Sequence, residues 1–216
     1  MSFFIFLGLG MVAMILCMLY AGKIYGIERR DVIITAVYLT ICGTFATYIM
    51  FFIETGQFGG RSFFGAAFFV PVFMYPLAKI LKIRYGYIMD ICAPAGCIML
   101  FILKFKCYLD GCCEGKLIIL KTTAFRFPSQ IVESVLALVL AAVIMLIIIK
   151  GRHKTMVYPI LLVIYGIMRF FLNLLREVDP WLGPLPAGNV WSLLAIIIGI
   201  IVLVVNKRKI QPKPAN

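Results

Sequence analysis

Residues 90–115 read DICAPAGCIMLFILKFKCYLDGCCEG: an acid, a membrane-length apolar run, and two lysines, Lys104 and Lys106, where the run meets a Gly/Cys-rich turn. A hydrocarbon core about 30 Å thick needs about 20 helical residues at a rise of 1.5 Å, so this stretch predicts a transmembrane helix. An isolated charge near hydrocarbon costs a few kcal/mol, and such residues usually face a bundle interior or a polar cavity. Basic groups at the mouth of the helix therefore point to an anionic headgroup or substrate. The plain alternative is two lysines snorkelling to ordinary headgroups.

Working outward, the rest of the chain has the same character. Of its 216 residues 63% are hydrophobic and 14% charged, with a mean hydropathy of +1.06, whereas a soluble domain is about half apolar and about a quarter charged. The expected fold class is an all-α integral membrane protein with about seven transmembrane helices, near residues 3–20, 32–53, 63–80, 87–106, 129–149, 157–175 and 189–206. This makes one polytopic domain over 1–206, followed by a short basic tail, 207–216, expected to be disordered. The first run has no Lys or Arg before it and is read as a retained helix rather than a signal peptide. The excess of 21 Lys+Arg over 9 Asp+Glu is explained by topology signals and anionic lipid, with no nucleic-acid partner expected.

Basic residues alternate between the two sides. Lys23, Arg29 and Arg30 follow the first run, Lys79, Lys82 and Arg84 the third, Lys150, Arg152 and Lys154 the fifth, and Lys207, Arg208, Lys209 and Lys213 the seventh. By the positive-inside rule the N-terminus faces out and the C-terminus faces the cytoplasm. The segments 54–62 (ETGQFGGRS), 109–127 (LDGCCEGKLIILKTTAFRF) and 177–188 (EVDPWLGPLPAG) then lie outside. Arg61, Lys104, Lys106, Lys116, Lys121, Arg126 and Arg176 remain on this disfavoured side, which orientation does not explain and substrate chemistry does.

Three further patterns stand out. In GQFGGRSFFGAA, 56–67, Gly59, Gly60 and Gly65 flank Arg61 at a helix entrance; glycines let backbone N–H groups approach a phosphate, or they allow close helix packing. In the sixth run Tyr165, Arg169, Asn173 and Arg176 fall at spacings of four, four and three, one stripe of a helix. Arginine there fits a phosphate oxyanion; the alternative is ion pairing with Glu133 and Asp90. FPSQIVESVL, 127–136, opens the fifth run with Pro128 in a first-turn position and Ser129 as a possible cap. Gln130 and Glu133 share a face there, either to tie helices together or to orient an arginine.

Metal and triad chemistry have little to build on. The one histidine, His153, sits between Arg152 and Lys154 in a basic loop. Cys17, Cys42, Cys92 and Cys97 lie in apolar runs and are expected to pack as small hydrophobes. Cys107, Cys112 and Cys113 cluster at a helix end, where a disulfide or a thiolate site is open, but the spacing supplies no fourth zinc ligand.

Taken in order, GGRSFFG, Asp90-Ile-Cys-Ala-Pro94 leading into LKFKCYLDGCCEG, Pro128-x-Gln130-x-x-Glu133, and Arg169-Phe170 with Arg176 beyond resemble the prolipoprotein diacylglyceryl transferase family. The resemblance covers about residues 56–200. It implies transfer of a diacylglyceryl group from phosphatidylglycerol to the cysteine thiol of a lipoprotein-precursor signal peptide, at the outer face of a bacterial plasma membrane, with no cofactor or metal. It also implies Arg169 and Lys104 as the catalytic, phosphate-binding pair. Arg61, Gly65, Asp90, Asp110, Gly111, Gly115, Gln130, Glu133, Asn173 and Arg176 would bind substrate, with Arg61 and Arg176 at the outer entrance and Glu133 and Asp90 supporting the cations. The chain departs from the family pattern at Lys104 and Cys107, which stand for an arginine and an asparagine, at Phe64, aligned with a histidine, and at Asn173, aligned with a glutamate. The alternatives to a transferase are a non-catalytic lipid- or lipopeptide-binding paralogue and a small transporter.

Overall fold

Membrane-length apolar segments separated by short polar turns fold as helices because each then satisfies its own backbone. The computed structural model describes residues 3–112, 114–120, 123–151, 153–176, 180–182 and 184–210. In chain order the elements are α1 (Phe3–Tyr25), α2 (Arg29–Thr55), α3 (Phe63–Ile80), α4 (Tyr85–Leu109), β1 (Leu117–Leu120), β2 (Thr123–Arg126), α5 (Ser129–Lys150), α6 (Val157–Leu174), β3 (Pro180–Leu182), β4 (Leu185–Pro186) and α7 (Ala187–Ile210). All seven helices are long and apolar enough to cross a membrane.

α4 is the axis of the bundle. Every residue from Ile88 to Ala95 is buried, and α1, α3, α5 and α6 all pack on it, while α7 lies along α6. The outer faces of α1, α5 and α7 instead present large apolar side chains such as Leu9, Leu16, Val139, Leu146, Ile200 and Ile201. A core holding buried Asp90, Lys106, Glu133 and Asn173 beneath an apolar exterior is the arrangement expected when hydrocarbon is the solvent.

Two expectations are corrected. The segments after α4 and α6, anticipated only as loops, form antiparallel hairpins, with Leu117 opposite Arg126 and Leu120 opposite Thr123 in the first and Leu182 opposite Leu185 in the second. α7 carries its helix on to Ile210, through the first residues of the basic end; residues 211–216 lie outside the described residues, as do Cys113, Lys121 and Arg152. Ser129 is not the cap of α5, because Pro128 occupies that position and Ser129 is the first helical residue.

Asp90 lies at the end of the bundle carrying the α3–α4 and α5–α6 turns. Its Oδ1 accepts the backbone N–H groups of Val157 at 3.0 Å and Tyr158 at 3.3 Å, and its Oδ2 accepts Thr155 N–H at 2.5 Å and the Tyr25 hydroxyl at 2.8 Å. A side chain of α4 thus satisfies the orphan first-turn N–H groups of α6. Asn206 of α7 donates to the Thr155 carbonyl at 3.0 Å and closes the same end.

Candidate active site

At the opposite end, the last turns of α4 and α6 and the first turns of α5 bring Lys104, Arg169 and Glu133 together among apolar neighbours. Glu133, 2% exposed, takes Arg169 Nη1 at 2.5 Å and Lys104 Nζ at 2.9 Å, both on its Oε2. A buried carboxylate is tolerable when cations replace its hydration, and two cations on one carboxylate leave the group with net positive charge. Glu133 Oε1 has no hydrogen-bond partner among the described residues.

Beside this trio lies a cavity of about 720 Å³, within the range of small-molecule sites. Its deeper wall is apolar, with Met14, Leu39, Val70, Met99 and Leu100. Its mouth is polar and basic, with Arg61, Lys104, Lys106, Arg169 and Arg176 against Glu54, Asp110 and Glu133. Such a cavity matches an amphiphile whose anionic part sits at the cations and whose apolar part points into the bilayer.

The predicted site residues divide into three groups. Arg61, Lys104, Asp110, Glu133, Arg169, Asn173 and Arg176 are brought together on the cavity wall; Tyr165, Arg169 and Asn173 share one face of α6 as their spacing indicated, while Arg176 lies beyond the end of that helix, bridged to Gly115. Asp110 pairs with Lys106 one turn back, and Arg61 donates to the Tyr48 hydroxyl at 2.6 Å while lying over that ring. Gln130, Gly65, Gly111 and Gly115 shape the frame without lining the cavity. Gln130 Nε2 donates to the Cys112 carbonyl at 2.5 Å, tying α5 to the turn after α4, and Gly111 sits in that turn at φ +66°. A Cβ on Gly65 would collide with the Ala46 carbonyl, so this glycine serves the α2–α3 crossing, the packing alternative left open by its sequence. Gly115 passes between two backbones, where a Cβ would meet the Phe127 oxygen at 2.7 Å and the Leu175 oxygen at 2.8 Å. Asp90 is not part of the group: it stands at the other end of α4 among uncharged donors.

Beside Arg176, backbone pairing joins the segments after α4 and α6 to the entrance of α5. Gly115 N–H donates to Phe127 O at 2.9 Å, Phe127 N–H to Lys116 O at 3.0 Å, and Lys116 N–H to Leu175 O at 2.9 Å, with Gly115 also bridged to Arg176. Cys107 lines the cavity, and the Cys112 thiol donates to the Cys107 carbonyl at 3.5 Å.

Sequence reasoning missed Glu54, which lines the cavity and accepts the Ser62 hydroxyl at 2.7 Å. The signal was available, since Glu54 is an acid at the end of a membrane-length run, as Glu133 is. Trp181 and the segment Pro186–Gly188 also line the wall without any sequence mark. Phe64 is buried in an aromatic cluster, its ring 5.9 Å from that of Phe68 and 5.7 Å from that of Tyr165.

The chain is similar to several proteins named phosphatidylglycerol–prolipoprotein diacylglyceryl transferase. The protein of Ehrlichia ruminantium (strain Welgevonden) is 28% identical over 163 residues, 67% of this chain and 63% of the relative. That of Geobacter sulfurreducens is 29% identical over 168 residues, 71% and 65% of the two chains, and that of Idiomarina loihiensis 31% over 166 residues, 71% and 62%. The chain thus spans a little under two thirds of the length of these relatives. The sequence profile described as prolipoprotein diacylglyceryl transferase matches residues 2–205, and with nearly the whole chain covered, this protein belongs to the prolipoprotein diacylglyceryl transferase family.

Proposed function

We propose that this protein transfers the diacylglyceryl group of phosphatidylglycerol to the cysteine thiol of a lipoprotein-precursor signal peptide, as a multi-pass enzyme of a bacterial plasma membrane. The observation that carries this is the pair of cations, Arg169 and Lys104, held by one buried carboxylate at the wall of an amphiphilic cavity. The reaction needs a site that binds a phosphodiester and stabilises a thiolate. In the step, the thiolate sulfur forms an S–C bond to the glyceryl carbon while the C–O bond to phosphate breaks. The bonding pair leaves with glycerol phosphate, whose oxygen can take up the thiol proton. Arg169 and Lys104 stabilise the charge that develops on the phosphate, and cations also favour the thiolate. Lysine keeps the charge without the bidentate fork, and Glu133 fixes its direction.

The orientation that fits this chemistry places the N-terminus and the cavity mouth outside. It is supported by thirteen of the 21 basic residues falling at the C-terminal ends of the odd-numbered helices or in the segments that follow them. The chain then forms a single transmembrane domain to 206, with residues 207–216 as its basic cytoplasmic end.

A non-catalytic lipid- or lipopeptide-binding role is favoured by one observation. Each cavity carboxylate is engaged: Glu133 with two cations, Asp110 with Lys106, and Glu54 with Ser62. To separate the two, purified protein is incubated in phosphatidylglycerol micelles with a lipobox peptide carrying one cysteine, and the peptide is weighed by mass spectrometry. The expected result is a diacylglyceryl adduct that Arg169→Ala abolishes. Folded protein that retains phosphatidylglycerol and forms no adduct would establish the binding role instead.

A further inference from the structure

We infer that Glu54, at the end of α2, is the general base that takes the proton from the acceptor thiol; this rests on the transferase reading above. Attack on the glyceryl carbon needs sulfur as a thiolate, so a group at the cavity must receive a proton. Three carboxylates line the cavity among the described residues, Glu54, Asp110 and Glu133, and two of them are neutralised by cations. Glu133 holds Lys104 and Arg169, and Asp110 holds Lys106. Glu54 makes no ion pair among the described residues. The Ser62 hydroxyl donates to its Oε1 at 2.7 Å, which uses one of about four acceptor positions on an ionised carboxylate and leaves the charge uncancelled. The cation beside Ser62, Arg61, donates to the Tyr48 hydroxyl at 2.6 Å.

Its position agrees with the role. Glu54 is half-buried in the last turn of α2, and a signal peptide seated in the bilayer by its apolar run brings the polar end of that run to the level of the helix ends. α2 packs on α1 and α3, whereas Lys104 and Arg169 come from α4 and α6. The carboxylate and the cation pair therefore stand on separate helices bordering one cavity, with Arg169 near enough for its charge to act on Glu54. A thiol entering at Glu54 approaches the glyceryl carbon from a different helix pair than the one that holds the phosphate, as displacement at carbon requires. The thiol proton passes to a Glu54 oxygen, and sulfur forms the S–C bond as the C–O bond breaks. The bonding pair leaves with glycerol phosphate, which then takes the proton from Glu54 and restores the carboxylate.

The test compares the purified full chain and its variants in phosphatidylglycerol micelles with two lipobox peptides that differ only in carrying cysteine or selenocysteine, adduct formation being followed by mass spectrometry. A selenol is ionised at neutral pH and needs no base. Glu54→Gln keeps the oxygen that accepts Ser62, and it is expected to lower turnover of the cysteine peptide at least about 100-fold and that of the selenocysteine peptide less than about fivefold. Added formate is expected to raise the rate of Glu54→Ala on the cysteine peptide at least about tenfold, a response that a merely structural side chain does not give. Glu54→Asp keeps the carboxylate on a shorter stem and serves where the other variants do not fold. It is expected to slow the cysteine peptide about tenfold with the selenocysteine rate again spared. Equal losses on the two peptides, or an unchanged cysteine rate in folded Glu54→Gln, would overturn the base alone and leave the transfer standing. No adduct on either peptide from the parent protein would overturn the base together with the transferase reading.

Discussion

Asp90 and Glu133 are both buried carboxylates in a membrane bundle, at 0% and 2% exposure, and they are neutralised in opposite ways. Asp90 accepts four hydrogen bonds from three backbone N–H groups and one hydroxyl, using both oxygens. Glu133 holds two cations through a single oxygen and leaves the other without a partner among the described residues. The first carboxylate is saturated and ties three helices together. The second is partly satisfied beside a cavity, and its cations, Lys104 and Arg169, remain about one seventh exposed at 15% and 13%. At one end burial closes a hydrogen-bond network, and at the other it concentrates positive charge at the wall of a cavity.

The contrast can be broken at each end. Arg169→Ala should give the largest effect, a loss of transfer of at least about 100-fold, read as adduct formed per minute, because it removes a charge aimed at the leaving phosphate. Asp90→Ala should cost about 3 kcal/mol, or about 100-fold in the folded ratio, by stranding the α6 N–H groups. It should be seen as a lowered unfolding midpoint in detergent, with turnover per folded molecule within about twofold of the parent. Equal loss of turnover in the folded fraction would erase the distinction between the two carboxylates. Glu133→Gln should lower turnover about tenfold, since it keeps the shape while releasing Lys104 and Arg169 from their shared acceptor. Lys104→Arg should give the smallest change, less than about fivefold in turnover, because the charge and the Glu133 partner both persist.

The seven helices were legible because hydrocarbon thickness demands a length that only helices of about 20 apolar residues supply. The polar stripe of Tyr165, Arg169 and Asn173 on α6 was legible because a spacing of four fixes one face. The hairpin at 117–126 was not, since LIIL and TAFR are short runs whose pairing depends on where α4 and α5 leave their ends. Asp90 was assigned to the wrong neighbourhood, although its distance from Lys104 was already fixed: fourteen helical residues rise about 21 Å, most of a bilayer core. The glycine at 65 carried two readings that only the position of Ala46 decides. The first turn of α7 gave no signal, because its residues at the wall, Ala187 and Gly188, carry no functional group.

The junction between the segments after α4 and α6 is sewn from main-chain bonds joining 115–116 to Phe127 on one side and Leu175 on the other. A seam made this way has no preferred vocabulary: most of its side chains can be exchanged while the stitches hold. Leu117, Ile119 and Phe125, all exposed on the adjoining hairpin, are free to diverge among relatives without loosening the frame that positions the cations. Sequence drift should therefore be fastest there, a few residues from the most constrained chemistry in the molecule.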